Sequence, residues 1–222
     1  NSAPAARRPA STGTLAPRYD ATDRRVREIV SRPRTTTTTR SGGGGGGSSV
    51  QSALARRDFG QCVALSNSAI RSGRISAADA TARGYCLLEL KRPVEAQHAF
   101  AVAQMRAPYR SRTASEAAYG ASVVALVRQE TDIASVAAAS APMTRARRTE
   151  IQTQVLQQRA VDATGLGQTS AAAHFLEQRN KIAPLQKDLM LLQAYAYHKG
   201  GDSESAERLF RALEGTGLDK EI

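Results

Sequence analysis

Small and apolar residues recur at helical spacing along most of this chain, in segments divided by prolines, glycines and short polar turns. One segment runs roughly from Ser49 to Arg57, and a second follows Asp58. Thr113 to Gln129 and Asp132 to Ala141 make a pair closed by Pro142. Arg147 to Ala163 and Thr169 to Ile182 make another, closed by Pro184. Near the end, Leu189 to His198 is an apolar helix, Lys199-Gly200-Gly201-Asp202 is a turn, and Ser203 to Phe210 is the partner helix. Each closing proline stands just past a helical segment, where its missing N–H and locked ring stop the helix. No stretch alternates apolar and polar residues with β-branched enrichment, so the pattern predicts an all-α fold.

Residues 77–110 carry the densest pattern. Antiparallel helices need small residues where they come closest, an aromatic plug between them and a stop at the end. Gly84 and Ala96 supply the small contacts, Phe100 the plug, Ala103 a further small position and Pro108 the stop. The segment reads Ala80-x2-Arg83-Gly84-x2-Leu87, then Ala96-x3-Phe100, then Pro108. This resembles the tetratricopeptide (TPR) repeat, a helix–turn–helix unit of 34 residues. Ala80 and Arg83 stand where that pattern has Trp and Leu. A step of 34 residues back from Ala96 lands on Cys62, with Ser66 and Ala69 aligned to Phe100 and Ala103. Near the end, Ala206-x3-Phe210 repeats Ala96-x3-Phe100, and the middle pairs need insertions of a few residues to stay in register. The resemblance implies a TPR-like α-solenoid of about five helix pairs over residues 51–222.

In that family a concave groove lined by the first helix of each pair receives a peptide or a helix from another protein. Carried onto this chain, the groove falls on Thr81, Tyr85 and Leu88 with Ala78, and on Asp188, Leu191, Tyr195 and His198 with Lys199 at the edge. Tyr85 and Tyr195 are equivalent positions, and each serves equally well as a groove contact or as packing against the adjoining helix. These residues do not match the basic clamp that some TPR proteins close on chaperone carboxylates. The resemblance implies a non-catalytic scaffold of the kind found in exopolysaccharide secretion, pilus and secretion-system assembly.

Residues 1–50 differ in kind. Pro4, Pro9, Pro17 and Pro33 interrupt helices, Thr35 to Thr39 is homopolymeric, and Gly42 to Gly47 has the composition of a flexible linker. The expectation is a disordered tail with one candidate docking helix at Asp20 to Ser31. The tail holds nine arginines against Asp20, Asp23 and Glu28, more than half of the chain's net charge of +11. Such an arm suits an acidic protein surface, anionic lipid or nucleic acid. Arginine without interleaved aromatics or a recognisable nucleic-acid motif argues against specific nucleic-acid binding. The rival readings are a nucleic-acid-associated or regulatory protein using this tail, and an accessory subunit ordered only within a large complex.

Catalytic and metal chemistry find little foothold. His98, His174 and His198 are far apart, with no second ligand at metal spacing. Gly165-x-Gly167 and the Gly42 to Gly47 run lack a preceding strand and a Gly-Lys-Ser/Thr ending, and no Gly-x-Ser-x-Gly elbow occurs. The expectation is no enzyme, no cofactor and no metal. No run of apolar residues is long enough to span a bilayer. The start at Asn1 without Met suggests a processed, periplasmic chain, with a cytoplasmic one as the alternative.

Cys62 and Cys86 are the only cysteines. Their separation suits neither a CxxC redox motif nor a zinc site. On the TPR alignment they fall in neighbouring pairs, so an exported chain could bridge them. Two buried free thiols are the reading favoured here, because spacing alone does not establish bridge geometry.

Overall fold

A computed structural model describes residues 49–214, and all of its regular structure there is helical. The ten helices are α1 (Val50–Ala55), α2 (Phe59–Arg71), α3 (Ala77–Glu89), α4 (Pro93–Arg106), α5 (Arg112–Val127), α6 (Thr131–Ser140), α7 (Arg145–Gly165), α8 (Thr169–Ile182), α9 (Lys187–Gly200) and α10 (Ser203–Glu214). The helix expected at Asp20 to Ser31, and the tail around it, lie outside the described residues.

Local chemistry sets the helix starts. The side chains of Ser49, Asp58, Ser76, Ser111 and Thr144 each accept a hydrogen bond from a first-turn N–H. Asp202 does the same for Ser205. Pro93 opens α4, where its missing N–H costs nothing. Between pairs, Ala107, Ala141 and Ala183 are extended and each precedes a proline, whose ring disfavours helical geometry in its neighbour.

One turn recurs within all five pairs, and the same turn also ends α2, where Gly73 has the positive φ and Arg74 N–H donates to Ala69 O at 2.9 Å. In each pair, the residue two before the even-numbered helix has a positive φ: Arg57, Lys91, Gln129, Gly167 and Gly201. The next N–H then reaches back to the carbonyl five residues earlier and closes the turn. Asp58 N–H donates to Ala53 O at 3.0 Å, Arg92 to Leu87 at 2.9 Å, Glu130 to Ala125 at 2.8 Å, Gln168 to Ala163 at 2.8 Å and Asp202 to Tyr197 at 3.0 Å. The fourth residue of every even helix is small and buried: Cys62, Ala96, Ala134, Ala172 and Ala206. Thirty-four residues separate the first two and the last two of these, and 38 separate the others. The longer middle units are the insertions that the sequence demanded.

Four residues further along sit Ser66, Phe100, Ala138, Leu176 and Phe210. Phe100 is fully buried between α3 and α5. A Cβ added to Gly84 would lie 2.6 Å from the ring Cζ, and one on Gly120 would lie 2.2 Å from Cε1. Both glycines are therefore required by the ring. Where Ser66 replaces the aromatic, Arg83 reaches across instead, donating to Ser66 Oγ at 2.7 Å, Asn67 Oδ1 at 2.7 Å and Val63 O at 3.3 Å. These three bonds give Arg83 its place at the contact between α2 and α3. Burial is the main cause that lowers its pKa from the ordinary value.

Each helix packs on the next in chain order, and in addition α1 packs on α3, α3 on α5 and α5 on α7. Among the described residues no substantial contact joins helices further apart in order than that. Cys62 and Cys86 form a disulfide between α2 and α3, with their Cα atoms 6.5 Å apart. This corrects the favoured expectation of free thiols. Helix stacking brings Cβ atoms of the two fully buried cysteines together, a juxtaposition that linear spacing does not encode.

Candidate interaction surface

The equivalences set by the small buried residues give each odd-numbered helix a forward side, turned toward the next odd helix. On α3 that side carries Thr81, Tyr85 and Leu88. All three are buried, which corrects their assignment to an open groove. Tyr85 makes an edge-to-face contact with Phe100 at 5.0 Å between centroids, and its hydroxyl donates to Glu116 O on α5 at 3.2 Å. The reason is geometric: the next odd helix occupies the space the groove reading left open. Ala78, included with them, is half-buried.

The forward side of α5 continues the theme with polar groups. Arg147, in the first turn of α7, pairs with Glu116 at 2.6 Å, and its guanidinium lies 4.9 Å from the centroid of the Tyr119 ring. Glu150, on the same helix as Arg147, brings a carboxylate to bear on the Tyr119 hydroxyl. Burial first, then the Glu150 carboxylate, drives the Tyr119 pKa far above its ordinary value of 10, against an opposing pull from Arg147. These four residues form a half-buried ionic junction between α5 and α7 that sequence reasoning did not single out. On α7 the corresponding positions are Gln154 and Gln157, which have little apolar surface to bury. Consistent with that, α7 and α9 do not pack as the earlier odd helices do.

On α9 the same positions are open. Asp188, Tyr195 and His198 are exposed and Leu191 is half-buried, with Lys199 exposed at the edge. Tyr195 is 51 % exposed where its equivalent Tyr85 is completely buried. It nevertheless makes the same edge-to-face contact, with Phe210 at 5.5 Å. So the structure separates the seven proposed groove residues into three that are core and four that share one accessible face. Of the structural positions, Gly84, Ala96, Phe100, Ala103 and Ala206 are buried, Phe210 is half-buried and Pro108 is an exposed loop residue.

A second feature lies between α8 and α10, over α9. It is a cleft of about 340 Å³ lined by Glu177, Asn180, Lys181, Gln193, Tyr197, Ser205, Arg208 and Leu209. Tyr197 donates to Glu177 Oε1 at 2.6 Å. Burial, the bond to Glu177 and that residue's charge push its pKa up to about 12. The cleft presents two cations and amides suited to polar side chains.

Arginines also hold the loops between pairs. Arg106 donates to Ile75 O, Arg148 to Ala141 O at 3.4 Å, and the buried Arg179 to Ala183 O at 2.9 Å and to Pro184 O. Composition had suggested only a basic charge balance for such residues. His98, His174 and His198 are exposed on α4, α8 and α9. Among the described residues no three metal-ligating side chains converge, and no helix is long and apolar enough to cross a membrane. No protein-family model matches this chain, and neither does any curated protein sequence.

Proposed function

We propose that this chain is a non-catalytic scaffold, a TPR-like array of five helix pairs that joins other proteins into a bacterial envelope complex. The observation that carries this reading is the turn repeated inside all five pairs, with its positive-φ residue, its N–H bonded to the carbonyl five residues back and the small buried fourth residue of the following helix. A chain that builds one supersecondary unit five times, each touching only its neighbours in order, has the logic of a solenoid. Such arrays leave an extended surface free for partners. The accessible face of α9 and the cleft beside it are the candidate contacts, while the Arg-rich tail suits an acidic partner surface. Exposed Ile133, Val136, Val94 and Met105 on even helices add apolar area beyond that face.

The Cys62–Cys86 disulfide favours an oxidising compartment, and thus the periplasm over the cytoplasm. The assignment to envelope machinery rests on likeness of fold. Amine-reactive crosslinking of the full chain in its native cells, read by mass spectrometry, tests the scaffold. It is expected to return a small, reproducible set of envelope proteins joined through Lys91, Lys181, Lys187 or Lys199. Scattered crosslinks to abundant cytoplasmic proteins would contradict both the role and the compartment.

A further inference from the structure

We propose that the forward face of α9 and α10 is a docking site for one α-helix of a partner protein. That helix carries a glycine over Phe210 and, eleven residues before it, an arginine or lysine for Asp188. This rests on the array reading and adds the chemistry of the occupant.

The chain itself shows what such a face accepts. Tyr195 and Phe210 reproduce the pair Tyr85 and Phe100, edge-to-face at 5.5 Å against 5.0 Å. In the interior pair the Phe100 ring is covered by α5, which can come close because Gly120 has no side chain: a Cβ there would stand 2.2 Å from the ring. The Tyr85 hydroxyl finds a main-chain carbonyl on that same helix, Glu116 O. At the α9–α10 face the described residues offer no such cover, and Tyr195 is half exposed.

Charge sets the second requirement. Asp188 holds on α9 the place that Glu116 holds on α5, and Glu116 is met by Arg147 from the first turn of the following odd helix at 2.6 Å. Gln158 on α7 is the counterpart of Gly120 on α5, and Arg147 stands eleven residues before it. A helix laid on α9 in the same way thus places a first-turn cation at Asp188 and a small residue at Phe210. A second copy of this chain meeting face to face would set Phe210 against another large ring, with no small residue to admit it.

The probe is a hydrocarbon-stapled peptide of residues 109–127 bearing Tyr109→Arg, which has the required cation and Gly120 eleven residues apart. Stapling is needed because so short a helix is marginal alone. Fluorescence anisotropy with the full chain is expected to give saturable binding. Gly120→Leu in the peptide, or Asp188→Arg in the chain, should each weaken it ~10-fold, about 1.4 kcal/mol. A peptide with Tyr109→Glu should recover affinity for the Asp188→Arg chain. Asp188 is exposed, and unchanged circular dichroism confirms that the variant folds. No saturable binding, or binding indifferent to Gly120→Leu and Asp188→Arg, overturns the proposal. So does a dimer of the chain that Asp188→Arg dissociates. Any of these results leaves the crosslinking test of the scaffold to be read on its own.

Discussion

Gly84 and Gly120 both lie against the Phe100 ring, and neither can take a methyl group without displacing it. Gly120→Ala should therefore cost about 2–3 kcal/mol, as overpacking in a filled core does, measured by urea unfolding. Combining it with Phe100→Leu should recover part of that loss, because a smaller side chain yields the space. Additive losses in the double variant would contradict the ring's role. A different residue-scale effect operates at Gln129, whose φ of 63° places a side-chain-bearing residue in the left-handed region. Gln129→Gly removes a conformational cost of about 1–2 kcal/mol, partly offset by glycine's larger unfolded-state entropy. A modest rise in thermal midpoint is expected. Gly201→Ala, at φ 88°, should lower it.

At the scale of elements, the disulfide ties α2 to α3 across a loop of moderate length. Its reduction, or Cys62→Ser with Cys86→Ser, should cost about 3 kcal/mol and lower the midpoint in reducing buffer. Tyrosine ionisation gives a second test. Tyr197 has a folded pKa of about 12 against 10 unfolded, so its neutral form favours the fold. That contribution is complete below pH 10 and is lost as pH rises from 10 to 12. Tyr197→Phe should flatten the stability profile in that window.

The helices themselves were legible in the sequence because prolines, caps and helical periodicity are local signals. Ala96-x3-Phe100 and Ala206-x3-Phe210 were legible for the same reason. The middle pairs were harder, since Ala138 and Leu176 replace the aromatic and the step lengthens to 38 residues. For Tyr85, packing against the adjoining helix was one of two readings the residues left open; what the sequence concealed was that Thr81 and Leu88 are buried with it, because burial by a neighbouring helix depends on stacking. The Glu116–Arg147–Tyr119 junction and the bond from Arg106 to Ile75 O were concealed likewise, because their hydrogen-bonded partners lie 31 residues away.

For the molecule as a whole, the central claim is that stability and binding surface arise from units that touch only their neighbours. The claim distinguishes an array from a closed bundle, in which every helix shares one core and loss of any pair removes the whole. It also fixes where a cut is tolerated: the Ala183-Pro184 junction, after which α9 and α10 pack chiefly on each other and on α8. The most direct measurement is therefore the unfolding of the chain truncated after residue 186, followed by circular dichroism in urea. The array predicts that the remaining pairs keep their helical signal and unfold cooperatively at a lower midpoint. Collapse of the helical signal across the remaining residues in the absence of urea would contradict it.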